Sequence, residues 1–360
     1  MGKKIYSIII GTGSYIPTKR VTNEYFLRSE FYDSDGGKFG KANEELIKSV
    51  EKITGIRERR YVTDDLVTSD IAFQAAKDAL ESSKVDKESL DYIIVANDSG
   101  DVRVGNTRSD FVPNIASRVK QKLGIENPRT IPYDIPFGCP GWLQGMIQAD
   151  YYLKSGDAKR ALVIGAELLS RISDPHDRDS MIYADGAGAT IVEAIESSKP
   201  VGILSHAGRS DTLTHAYMLR MGKSNNPNYE GNELFLKMDG YKLYEYALKL
   251  VPQVVKESIT KAGLLLSDIS KVLLHQANAK MDQAILERLY RLYGEKEIPS
   301  HVMPMIISWL GNSSVATLPT LLDLFLKGKI ENYESKKGNV IVFAAIGAGL
   351  NINSLVYKLP

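Results

Sequence analysis

What most constrains this chain is an order of elements that occurs twice. In the first half a helical pattern over 70–83 leads through Lys87-Glu-Ser-Leu-Asp91 into the apolar run Tyr92-Ile-Ile-Val-Ala96. In the second half a helix over 244–262 leads through Leu266-Ser-Asp-Ile-Ser270 into Lys271-Val-Leu-Leu274. The stretch around Cys139 then passes from an extended segment into a helix and on to the strand Arg160-Ala-Leu-Val-Ile-Gly165. Met305-Ile-Ile-Ser-Trp309, Gly311-Asn312, an apolar helix through Leu326 and Gly338-Asn-Val-Ile-Val-Phe343 repeat that order. Alternating strands and helices predict an α/β protein with mainly parallel sheets. Their recurrence predicts two duplicated halves, 1–198 and 199–360, with the functional site where they meet.

The other segments read more simply. Residues 5–10 form a buried strand ending at Gly11-Thr-Gly13-Ser14, which is no dinucleotide fingerprint, since a third glycine is missing and Pro17 blocks an immediate helix. Residues 30–43 read as a solvated loop followed by a helix from Asn43, and 99–112 as a polar loop before a helix over 112–123. With 43% hydrophobic and 25% charged residues, the 360-residue chain is long enough for two cores, and its net charge of +1 excludes a bulk electrostatic role on nucleic acid or a membrane. One cysteine makes no internal disulfide, no run of about eighteen apolar residues occurs, and Met1-Gly-Lys-Lys runs straight into a strand without a signal-peptide pattern. A cytoplasmic protein is expected.

Cys139 stands where an extended segment becomes a helix, with Pro140 suited to the first turn. The free N–H groups and dipole of a helix start stabilise thiolate, which predicts a pKa well below the ordinary value of about 8.5 and a nucleophile. Alone, the residue reads more readily as a small buried hydrophobe. His275 ends an apolar strand, where α/β sheets present ligand-contacting side chains, or is satisfied by its own turn. Asn312 could cap a helix. The glycines of Ala344-Ala-Ile-Gly-Ala-Gly349 admit a ligand close to the backbone or make a tight turn. Matching the halves sets Cys139 against Asn312, and the strand end at Asp98 against that at His275. A pseudo-two-fold arrangement would bring Cys139, His275 and Asn312 to one point.

Together these groups suit one chemistry. A Cys139 thiolate would store an acyl group, His275 and Asn312 would donate to the carbonyl of a second thioester, and backbone N–H groups at Cys139 and near Ala348 would hold the tetrahedral adduct. No metal or redox cofactor is required. His176, His206, His215 and His301 lack metal-ligand spacing. Asp185 reads as a turn former and Tyr241, Tyr244 and Tyr246 as helix packing.

Gly11-Thr-Gly-Ser-Tyr-Ile-Pro17, Thr54-Gly-Ile-Arg-Glu-Arg59, Phe137-Gly-Cys-Pro-Gly141, Ser173-Asp-Pro-His-Asp-Arg178, Tyr183-Ala-Asp-Gly-Ala-Gly-Ala189, Met238-Asp-Gly240, His275-Gln-Ala-Asn278 and Gly311-Asn-Ser-Ser314 resemble, in order and over nearly the whole chain, the signatures of the β-ketoacyl-acyl carrier protein synthase III family. The resemblance implies the thiolase fold, two fused α/β halves in a five-layered αβαβα sandwich, and a homodimer. It implies a Cys139, His275 and Asn312 triad, pantetheine or coenzyme A contacts at Arg178 and Asn278, docking of acyl carrier protein at Lys280 and Arg288, and thioester substrates without a cofactor. The chain departs from the family at Ser49 and Ile53, where an adenine-clamping tryptophan and arginine are usual, and at Glu245, where a docking lysine is usual. These departures point to a specialised-metabolism branch joining two acyl chains, such as dialkylresorcinol or alkylquinolone ketosynthases, beside fatty-acid initiation. A thioesterase and an acyltransferase acting on oxygen or nitrogen nucleophiles are the competing readings.

Overall fold

The computed structural model describes residues 3–360. Two sheets carry the fold. The first has five strands in the order Lys4–Tyr15, Asp185–Ser197, Arg160–Leu168, Tyr92–Ala96 and Ile131–Ile135. The second has four, in the order Gly202–Ser210, Asn351–Lys358, Val340–Gly347 and Ile269–Leu274. Each strand of the second sheet has a counterpart in the first, and Ile131–Ile135 has none in the second.

The apolar runs are nearly continuous because both faces of each sheet are covered. In Tyr92–Ala96, Ile94 and Ala96 point to the layer between the sheets, while Ile93 and Val95 point outward. Ile341, Phe343 and Ala345 face that same central layer from the second sheet, and Val340, Val342 and Ala344 face away. Helices Gly141–Ser155 and Thr317–Leu326 fill the central layer. Thr68–Ser83 and Ile115–Lys122 cover the outside of the first sheet, and Gly240–Lys261 and Ala279–Leu292 the outside of the second. The result is the five-layered αβαβα sandwich of the thiolase fold.

Several local expectations are corrected. The sheets are mixed: Tyr92–Ala96 is parallel to both its neighbours and Ile269–Leu274 to Val340–Gly347, while the remaining pairs are antiparallel. Connection length decides one of these pairs, since the three residues Ala348–Leu350 can only turn Val340–Gly347 back on its neighbour Asn351–Lys358. The first strand does not stop at Gly11 but runs to Tyr15. Its glycines serve a close approach, because a Cβ on Gly13 would lie 2.3 Å from the Ala75 carbonyl of helix Thr68–Ser83. Residues 99–112 contain a hairpin, Asp101–Arg103 with Asn106–Asp110, and the next helix starts at Ile115, capped by the Asn114 side chain on the Ser117 N–H at 2.8 Å.

The segment expected as a strand at 305–309 contains instead a short helix, Ile307–Leu310. The buried Gln276 amide donates to the Pro304 carbonyl and accepts the Ile306 and Ile307 N–H groups, taking donors a sheet ladder would need. Most of 30–43 is exposed, as expected of a loop, yet Phe31 inserts among Val21, Phe26 and Leu46. Asp185 makes no turn: it opens a strand, buried, and its carboxylate accepts the Val62 and Ser170 N–H groups at 2.9 Å each. Tyr244 and Tyr246 pack on the core, but Tyr241 is 75% exposed.

Candidate active site

The loop before helix Gly141–Ser155 carries Cys139. Gly138 there takes a left-handed φ of +63°, and its N–H donates to Asp98 Oδ1 at 2.9 Å. The helix is seated by Trp142, fully buried and edge-on to Phe343 with ring centres 5.8 Å apart. Cys139 is thus held at a helix start between the two sheets.

His275 extends the strand Ile269–Leu274 by one rung, donating its N–H to the Ala344 carbonyl at 2.8 Å. Its Nδ1 is buried without a partner among the described residues. Asn312 is fixed by its own backbone, its N–H on the Ile182 carbonyl at 3.0 Å and its carbonyl on the Ala184 N–H at 2.8 Å. Asn312 Oδ1 accepts the Ser314 N–H at 2.8 Å, which leaves the amide NH₂ as the group free to donate elsewhere. Ser314 Oγ lies 3.5 Å from Cys139 Sγ.

Cys139, His275 and Asn312, though far apart in sequence, line a single cavity of about 270 Å³ together with Asp98, Ser314 and Ala348. Leu169, Ile172, Leu236, Met238 and Ile346 give it an apolar wall suited to an acyl chain. Two glycines let the Cys139 and Ala348 loops meet. A Cβ on Gly347 would lie 2.6 Å from the Cys139 nitrogen, and one on Gly138 would lie 2.7 Å from the Ala348 nitrogen. The Cys139 and Ala348 loops are therefore in close contact.

The electrostatics correct the expectation of a resting thiolate. Burial pushes the Cys139 thiol up to about 12, and the Asp98 and Glu167 carboxylates add to the rise. Desolvation outweighs the helix start, so the resting group is a thiol. Burial likewise lowers His275 to about 4 and keeps its imidazole neutral. Glu167, wholly buried, is raised to about 8 by burial and by the charge of Asp98. It accepts the Asp98 N–H at 2.8 Å and the Ser99 hydroxyl.

The remaining candidates stand away from this cavity wall. Arg178 is exposed with its guanidinium over the Phe39 ring at 5.2 Å. Asn278 caps helix Ala279–Leu292, accepting the Met281 N–H at 3.1 Å. Lys280 and Arg288 are exposed on that helix. Sequence reasoning gave Ser314, Asp98 and Tyr183 no part at the site, although each lines the cavity. Ser314 and Tyr183 lay inside quoted motifs; Asp98 was marked only as the strand end matching His275.

Among the described residues no helix is long and apolar enough to cross a membrane, and no group of His, Cys, Asp and Glu side chains is arranged to hold a metal ion.

Residues 133–211 match the model of 3-oxoacyl-[acyl-carrier-protein] synthase III, and residues 259–359 that of its C-terminal part. The chain is 32% identical, over 99% of its own length and all of the relative's, to the β-ketoacyl-[acyl-carrier-protein] synthase III of Xanthomonas campestris pv. campestris. It is similar to the crystal structure of 3-oxoacyl-[acyl-carrier-protein] synthase III from Aquifex aeolicus, with a TM-score of 0.79, 29% identity and coverage of 98% and 99% of the two chains. A priming β-ketosynthase of a polyketide biosynthetic pathway gives a TM-score of 0.80 at 26% identity, covering 100% of this chain and 98% of that one. With the paired sheets and the cavity between them, these likenesses fix the assignment: the chain belongs to the β-ketoacyl-acyl carrier protein synthase III family of condensing enzymes.

Proposed function

We propose that the cavity is the site at which this acyltransferase forms its carbon–carbon bond by Claisen condensation, with Cys139, His275 and Asn312 as the catalytic residues. In the first step the Cys139 sulfur attacks a thioester carbonyl, and the departing thiol carries away the proton that the sulfur gives up. The backbone N–H groups of Cys139 and Ala348 stabilise the oxyanion, in a place where removing a donor costs about 10²–10³ in rate. In the second step a malonyl thioester loses carbon dioxide, or a β-ketoacyl thioester its α-proton. His275 and Asn312 donate to the carbonyl oxygen of the resulting enolate, whose carbon attacks the stored acyl group and displaces the Cys139 sulfur. The observation that carries this reading is the convergence of the three side chains on one apolar cavity, with Asn312 turned so that its NH₂ is free to donate.

The boundary at 198/199 separates the two ancestral halves. We assign the chain to the cytoplasm and expect a homodimer working without a cofactor on coenzyme A or acyl carrier protein thioesters. Arg178 and Asn278 are its pantetheine contacts, and exposed Lys280 and Arg288 its carrier docking residues. The specialised branch that joins two acyl chains is favoured over fatty-acid initiation by Ser49 and by Ile53, whose exposed aliphatic side chain offers no adenine clamp. Intact mass after incubation with acyl thioesters tests the roles. Wild type gains one acyl group, Cys139→Ala gains none, and His275→Ala acylates without condensing. Release of free acid with no new carbon–carbon bond would favour a thioesterase instead, and a product formed on oxygen or nitrogen when the second thioester is omitted would favour acyl transfer.

A further inference from the structure

The roles above leave one charged cavity residue unused. Asp98 lies just past the end of the strand Tyr92–Ala96, one residue beyond Asn97, which continues that strand as His275 continues Ile269–Leu274. It lines the same cavity as Cys139, and its Oδ1 is fixed by the N–H of Gly138, the residue next to the nucleophile. Its own N–H is tied to Glu167 beneath it, which is sealed from solvent, whereas Asp98 sits within the cavity and keeps an accessible face there. The carboxyl is therefore anchored on one side and open to the cavity on the other.

A carboxylate in that position disfavours a partner bearing its own carboxylate, since like charges in a partly desolvated space repel. It suits a partner that has no carboxylate to lose and whose carbanion must be made by removing a proton.

We propose that Asp98 is a catalytic base of this site, taking the α-proton of a β-ketoacyl thioester, so that the second substrate enters without losing carbon dioxide. This rests on the condensing reading given above. The Asp98 carboxylate accepts the α-proton, and the electron pair, delocalised onto the oxygen held by His275 and Asn312, forms the bond to the acyl carbon on Cys139. The carbon–sulfur bond breaks, and the sulfur leaves as thiolate and recovers the proton from Asp98, restoring both groups. An α-carbon between two carbonyls is acidic enough for a carboxylate base. Burial, which raises the proton affinity of Asp98 against the lowering by the Gly138 and Phe137 N–H groups, narrows the remaining gap.

The test uses the full chain with octanoyl-N-acetylcysteamine as acyl donor and either β-ketooctanoyl- or malonyl-N-acetylcysteamine as second thioester, with products read by mass spectrometry. Wild type condenses the β-ketoacyl thioester; Asp98→Asn loses that reaction by about 100-fold or more, and loses the malonyl reaction at least about tenfold less. Asp98→Glu restores part of the rate, and the acid limb of the pH–rate profile disappears in Asp98→Asn. Wild type that condenses only the malonyl thioester, or an Asp98→Asn variant that loses both reactions equally, would overturn the assignment of the base while leaving the condensing site intact. Wild type that never acylates Cys139 would overturn the condensing reading, and the base with it.

Discussion

Gly347→Ala probes the close approach on which the oxyanion site depends. Gly347 has φ −163°, an extended conformation open to any residue, so the added methyl acts by contact and not through backbone strain. Its Cβ would meet the Cys139 nitrogen and Pro140 Cδ at 2.6 Å and Cys139 Cβ at 3.1 Å, and separations under 3.0 Å are not adopted, so the two loops must part by some tenths of an ångström. Overpacking of this kind costs about 1–3 kcal/mol. For a chain of 360 residues that lowers Tm by about 1–4 °C. The rate falls much further, because moving the Cys139 and Ala348 N–H groups apart removes an aligned donor, worth about 10²–10³ in kcat. Steady-state kinetics of acyl transfer and of condensation, measured beside a thermal melt, read both effects. A folded Gly347→Ala protein with wild-type kcat in both steps would refute the reasoning.

Other outcomes follow from the same geometry. Asn312→Ala removes both the free NH₂ and the acceptor of the Ser314 N–H, so condensation falls by about 10²–10³ and stability by about 1–3 kcal/mol, read by kinetics and denaturant titration. Arg59, fully buried, donates to Asn23 Oδ1 and to the Val21 and Met181 carbonyls; Arg59→Ala orphans these acceptors and leaves a cavity, costing about 3 kcal/mol or more in a denaturant titration. Glu167 has its folded pKa raised to about 8, so its protonated form contributes stability that is present below the ordinary glutamate range and lost as pH rises through about 8. Melting temperatures across that window should fall less in Glu167→Gln than in wild type. The His275 ring, held neutral by burial to about pH 4, should show no titration by NMR between pH 8 and 5.

Features written in local pattern were legible from the residues. The repeated order of elements foretold an α/β protein of two similar halves, while the layering of helices between and outside two sheets was implied only by the family resemblance. Runs such as Tyr92–Ala96 and Val340–Phe343 are apolar on both faces because they are covered on both. Cys139, His275 and Asn312 each stand where an element begins or ends, which is why they could be singled out, and the fold brings them to one cavity. Strand direction was less legible, since it depends on connections such as Ala348–Leu350 being too short to cross over. Gly11 and Gly13 read as a strand end because the helix that needs their bare backbone is more than sixty residues away. The thiol was misjudged because a helix start is visible in sequence and the degree of burial is not. Asp98 escaped notice as a site residue because Asn97-Asp98-Ser99 looks like an ordinary turn until Gly138 and Glu167 are folded against it.

The central claim is that one cavity stores an acyl group on Cys139 and joins it to a second thioester. A single-turnover chase tests this most directly: protein loaded with one acyl group is freed of excess donor and mixed with the second thioester, and protein mass and small-molecule product are followed together. The account predicts that the acyl mass leaves Cys139 at the rate at which a product with a new carbon–carbon bond appears. Loss of the acyl group as free acid, or a loaded protein that keeps it throughout, would contradict the account.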